Sequence, residues 1–126
     1  MRIILADQNQ KTLWALITVL HEEPEMNVVG EAKDAEGLRM VAKNTAADLI
    51  LLDKKLAGGR AESLISELHA LEPRPTVVVM SSHSEDSRLM LKAGADSFVS
   101  KGDRPDWLLE TLRHYASRAQ QYVEPK

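Results

Sequence analysis

Apolar residues along this chain follow two rhythms. Short continuous runs, Ile3-Ile4-Leu5-Ala6, Leu49-Ile50-Leu51-Leu52 and Val77-Val78-Val79-Met80, predict buried strands, whereas the stretches between them repeat apolar positions at three- and four-residue spacing and predict helices. A first strand over about residues 2–7 leads to a helix carrying Leu13, Leu16, Ile17 and Leu20, stopped by Pro24. A strand over 27–32 precedes a helix capped by Asp34 and carrying Leu38, Val41 and Ala42. The strand Asp48 to Asp53 runs into a loop that contains Gly58-Gly59. A third helix with Leu64, Ile65, Leu68 and Leu71 closes at Pro73 and Pro75, before the β-branched run from Thr76. Ser82 and Glu85 have the spacing of a capping box for a fourth helix, which Gly94 ends as the residue past its C-terminus. The last strand, Ser97 to Lys101, is followed by a fifth helix that starts at Pro105 and carries Leu108, Leu109 and Leu112.

Five β-then-α units with short connections call for a parallel sheet with helices on both faces, an α/β fold. At 126 residues the chain fits one domain, expected over residues 1–116, with 117–126 a polar tail or the start of a linker. A hydrophobic content of 44% beside 28% charged residues is that of a soluble globular protein. The net charge of -3 gives no electrostatic reason to expect direct nucleic-acid contact. The absence of cysteine excludes disulfides, thiol catalysis and thiolate metal sites, and suits a reducing cytoplasm. No apolar run is long enough to span a bilayer and no basic start precedes one, so a cytoplasmic location without membrane contact is expected.

Candidate chemistry lies where the apolar runs stop. Asp7, Asp53, Ser81 and Lys101 each follow a strand, and in an open parallel sheet ligands collect outside the carboxyl ends of the strands. A carboxylate that accepts a phosphoryl group needs a divalent cation to offset charge, with a hydroxyl and an ammonium to hold the phosphoryl oxygens. Taken singly, each residue has a plainer reading: a turn or cap for Asp53 and Ser81, a solvated amine for Lys101. The four histidines, His21, His69, His83 and His114, show no ligand spacing; most read as solvated, and His83 alone lies near the proposed pocket.

The ordered motifs ILAD, VVGEA, DLILLD, VVVMSS and AGADSFVSK resemble those of bacterial two-component response-regulator receiver domains, from Met1 to about Arg113. The resemblance implies a doubly wound, flavodoxin-like sheet of five strands in the order 2-1-3-4-5 with five helices. It implies phosphotransfer to Asp53 from a histidine kinase or a phosphotransfer protein, Ser81 and Lys101 as phosphoryl contacts, and Phe98 as an aromatic that changes rotamer on activation. It also implies magnesium held by Asp7, Asp53 and the backbone carbonyl of Lys55. The wording of VVGEA and AGADSFVSK is closest to receivers that carry a C-terminal helix-turn-helix.

The chain departs from that pattern at Gln8, where a second acid is usual, at Ala57, where a proline is usual, and in the lysine pair Lys54-Lys55. Gln8 keeps an oxygen but lacks a charge on which hard cations depend, so magnesium binding is expected to be weak. Lys54 and Lys55 read either as solvated loop residues or as an ammonium that partly replaces the cation. Leu13, Trp14, Ile17 and Trp107 are unexpectedly large for the first and last helices, and read either as one apolar patch for a partner or a homodimer or as a widening of the buried stripes. The rival within the same fold is a pseudo-receiver that acts by protein interaction without phosphorylation. An enzyme of flavodoxin-like or other small α/β type lacks a Gly-rich phosphate loop and a nucleophile beside a base, so a non-enzymatic signalling module is the expectation.

Overall fold

The structure, a computed structural model, describes residues 1–102 and 105–121. Five strands, β1 (Arg2–Ala6), β2 (Asn27–Ala32), β3 (Leu49–Asp53), β4 (Thr76–Ser81) and β5 (Ser97–Ser100), form one sheet. All neighbouring strands are parallel, and their order is β2-β1-β3-β4-β5, as the family resemblance implied.

Strand alternation splits the core into two layers. Ile3, Leu5, Leu49, Leu51, Val78 and Met80 point to the face covered by α1 (Gln10–His21) and α6 (Pro105–Gln121). Ile4, Ile50, Leu52, Val77 and Val79 point to the other face, under α2 (Ala35–Thr45), α4 (Ala61–His69) and α5 (Ser87–Lys92). Burial on both faces explains why these strands read as unbroken apolar runs. Gly30 on β2 sits where an added Cβ would run into the Val41 side chain, so its lack of a side chain lets α2 approach the sheet.

Most helix limits follow the sequence signals. Asp34 caps α2 by accepting a hydrogen bond from Gly37 N at 2.7 Å, and Gly94 takes the left-handed φ of +113° just past α5. Three features differ. The loop after Asp53 winds into a single turn, α3 (Lys54–Ala57), and a 3-10 turn (Gly58–Arg60) before α4. The Ser82 and Glu85 capping box does not form, because a 3-10 turn (Ser84–Asp86) with His83 at its cap position precedes α5. The polar stretch from Ser117 continues α6 as far as Gln121, and the rest of the expected tail, 122–126, lies outside the described residues.

Candidate functional site

Strand register assembles the site. Ala6 lies opposite Leu52, which puts Asp7 level with Asp53; Asp53 lies opposite Met80, one residue short of Ser81; and Ser81 pairs with Ser100, after which Lys101 follows. All four therefore meet at the carboxyl edge, where the chain reverses its direction of strand addition between β1 and β3, the place such sheets bind ligands. The backbone N–H of Lys101 donates to the Ser81 carbonyl at 2.7 Å and ties the last two positions together.

Asp7 and Asp53 are only 1% and 4% exposed. The Lys101 Nζ lies 2.7 Å from Asp7 Oδ2 and 2.7 Å from Asp53 Oδ1, bridging both. Burial alone would push this ammonium down, but its hydrogen bonds to Asp53 and Asp7, reinforced by their charges, hold it above the ordinary lysine value. Asp7 Oδ1 also accepts from Asn9 N at 2.8 Å, while Asn9 caps α1, so the helix start fixes the carboxylate.

A cleft of about 320 Å³ opens beside this bridge, lined by Asp53, Lys54, Lys55, Gly58, Ser81, Ser82, His83 and Asp86. The buried Ser81 hydroxyl is engaged with neighbours other than Asp53. It donates to Asp86 Oδ2 at 2.7 Å and accepts from His83 N at 3.0 Å. The other Asp86 oxygen takes Lys54 Nζ at 3.1 Å. The Ser81 hydrogen bond, then the Lys54 contact, hold the Asp86 carboxyl below the usual carboxylate range. Nothing in the spacing of the sequence marks Asp86 as part of the site; an acid ahead of a helix reads as a cap.

Of the lysine pair, Lys55 takes the solvated reading and Lys54 neither of the two. The Gln8 amide Nε2 donates to the Lys55 carbonyl at 3.4 Å, a long contact with the oxygen expected to face a metal. Lys54 pairs with Asp86, the Lys55 side chain is exposed, and the ammonium over Asp53 belongs to Lys101. Among the described residues no three His, Cys, Asp or Glu side chains cluster as metal ligands. Two carboxylates and a backbone carbonyl still offer the hard oxygen donors that suit magnesium, one charge short of a three-acid set. Phe98 is half-buried and packs against the core layer under α4 and α5, outside the cleft lining.

The four-residue apolar patch does not exist. Leu13 is fully buried and belongs with Leu16 and Leu20 to the core stripe of α1, and Ile17 packs partly against the same core. Trp14 and Trp107 are 61% and 51% exposed. The groove between α1 and α6 is lined on α1 by Thr12, Ala15, Leu16 and Val19, which at about 100° per residue leaves Trp14 on the opposite flank. On α6, Arg113 lies 2.7 Å from Glu23 just past α1, and the Tyr115 hydroxyl reaches Ser97 on β5. His69 is one of the histidines with a partner: its Nε2 sits 2.8 Å from Asp96 Oδ2, which accepts Val77 N at the same distance.

Comparison with known proteins decides the family, because the response regulator receiver domain model matches residues 3–113. The chain belongs to the response regulator receiver domain family. Its relatives include the nitrate/nitrite response regulator protein NarL of Escherichia coli K12, 32% identical over 117 residues, covering 91% of this chain and 54% of that protein. The chain thus spans about half the length of that relative. Among solved structures, a CheY-like receiver domain protein from Methanospirillum hungatei has a TM-score of 0.79 at 25% identity, covering 97% of this chain and 98% of that one. The isolated receiver domain of RcsB from Salmonella enterica, determined with phosphomimetic BeF3-, gives 0.77 at 22% identity over 90% and 86%, which shows the fold. This receiver is a phosphoacceptor module of two-component systems, a family that is generally non-enzymatic, typically binds magnesium in its acidic pocket, and exchanges signals with histidine kinases or phosphotransfer proteins. Among the described residues no helix is long and apolar enough to cross a membrane.

Proposed function

We propose that Asp53 is the phosphoryl acceptor of this receiver, and that the domain acts in the cytoplasm as a signalling module and not as an enzyme in its own right. The observation that carries this reading is the Lys101 bridge to Asp7 and Asp53 beside the cleft lined by Asp53 and Ser81. A carboxylate oxygen of Asp53 attacks the phosphorus of a phosphohistidine on a kinase or phosphotransfer protein. The P–N bond breaks, and the donor ring, protonated at its other nitrogen, leaves as neutral imidazole. The added phosphoryl oxygens meet Lys101 and, once it turns from Asp86, the Ser81 hydroxyl.

Asp7, Asp53 and the Lys55 carbonyl would hold magnesium, with Gln8 a weak fourth donor; the cation, when bound, offsets charge on the phosphoryl oxygens. One negative charge fewer than a pocket with adjacent acids makes that binding weak. Phe98, half-buried against the α5 side, is placed to change rotamer as that region shifts. The pseudo-receiver alternative is less favoured, because the acceptor, the hydroxyl and the ammonium are all present and converge.

The test is labelling by acetyl phosphate with magnesium, followed by intact mass. Wild type gains a single phosphoryl group and Asp53→Asn gains none. Labelling that persists undiminished in Asp53→Asn removes Asp53 as the acceptor.

A further inference from the structure

Asp86 stands at the N-terminus of α5, where an aspartate ordinarily caps the helix, yet it makes no side-chain capping hydrogen bond and its backbone is helical, with φ -75° and ψ -10°. Its carboxylate instead turns back into the cleft. One oxygen accepts the Ser81 hydroxyl at 2.7 Å and the other meets Lys54 Nζ at 3.1 Å. Ser81 is 4% exposed, and its oxygen also accepts the His83 N–H, so the hydroxyl proton is committed to Asp86. A buried hydroxyl has one proton to donate. It serves Asp86 or a phosphoryl oxygen, not both.

We propose that Asp86 is a positioning residue of the phosphoryl site, which holds the Ser81 hydroxyl and the Lys54 ammonium away from Asp53 until a phosphoryl group competes for them. This inference rests on Asp53 being the acceptor. The exchange is one hydrogen bond to a charged oxygen for another. On Asp53 the phosphoryl group presents anionic oxygens in the same cleft that Ser81, Lys54 and Asp86 line. When the hydroxyl and the ammonium turn to them, Asp86 loses both partners. The turn Ser84–Asp86 and the start of α5 then lose their tie to β4 and α3. Asp86 thereby sets a threshold for phosphorylation and couples its outcome to the α5 end of the molecule.

The consequence is that removing the Asp86 charge speeds phosphorylation. Asp86→Asn keeps the size of the side chain but weakens the hold on Ser81 and Lys54 from a charged to a neutral contact, and for a partly exposed contact the expected gain in labelling rate is about 3- to 10-fold. The full chain is labelled with acetyl phosphate: an Asp53 oxygen attacks phosphorus, the bond to the acyl oxygen breaks and acetate leaves. The gain should shrink when Ser81 is already alanine, which separates positioning of Ser81 from a general loosening of the loop. Asp86→Ser, which retains a small polar side chain, should show the same direction as Asp86→Asn. Asp86→Asn that labels at the wild-type rate, or a gain that persists in full in the Ser81→Ala background, overturns the proposal while leaving Asp53 as the acceptor. Wild type that takes up no phosphoryl group overturns the acceptor assignment and this inference together.

Discussion

Replacing Lys101 with methionine keeps most of the side chain's length and apolar stem while removing the charge that joins the two acids. Both carboxylate oxygens lie 2.7 Å from the same Nζ. They are therefore at most about 5.4 Å apart, and at an effective dielectric of about 20 their repulsion is about 3 kcal/mol once the ammonium is gone. The Lys101 side chain is 24% exposed, so water screens part of this. We expect a loss of about 2–3 kcal/mol, at or just below the range for removing one partner of a buried ion pair. In urea, where a domain of this size has an m-value of about 1–3 kcal/mol/M, the midpoint should fall by about 1 M or more near neutral pH.

The pH dependence has a definite sign. In wild type the folded state raises the Lys101 pKa above 10.5, so its contribution is complete below the ordinary lysine value and disappears as pH rises through the raised one. Lys101→Met lacks that contribution at every pH, so the gap between variant and wild type should narrow as pH rises through the raised lysine value. A variant within about 0.5 kcal/mol of wild type at neutral pH, the scatter of ordinary surface changes, would refute the account of the pocket. A gap that stays constant as pH rises through the raised lysine value would do the same.

Two further outcomes follow from residues placed differently from the sequence pattern. Gln8→Asp should tighten magnesium binding at least about ten-fold in a calorimetric titration, since even outer-shell partners commonly matter by that much, and equal affinity would make Gln8 a sufficient ligand. Leu13→Ala should cost about 2–5 kcal/mol in urea denaturation as a core truncation, whereas Trp14→Ala should stay within about 0.5 kcal/mol. The reverse order would put Leu13 back on the surface.

The central strands and the location of the site were legible because burial on both faces leaves no polar position inside β1 or β3, so their apolar runs end visibly at the carboxyl edge. Asp7 and Asp53 are such endings, and Ser81 and Lys101 stand at the same edge. The helix faces were less legible. Leu13, Leu16 and Leu20 recur at helical spacing, but so do Leu16, Val19 and Leu20 beside Thr12, and a stripe this wide leaves its centre undetermined until the sheet below it is in place. The contacts of Asp86 and His69 could not be read at all. Asp86 reaches Ser81 across a 3-10 turn that breaks the helical count, and His69 meets Asp96 only because α4 and the start of β5 end at the same edge of the sheet. Neither contact leaves a periodic trace.

The central claim, that Asp53 receives the phosphoryl group, is tested most directly by locating the modification. An acyl phosphate is reduced by borohydride to the alcohol of homoserine, which an unmodified carboxylate is not. After acetyl phosphate treatment and reduction, peptide sequencing by mass spectrometry should find homoserine at position 53 and nowhere else in the chain. Reduction at Asp7 or Asp86, with Asp53 intact, would contradict the account.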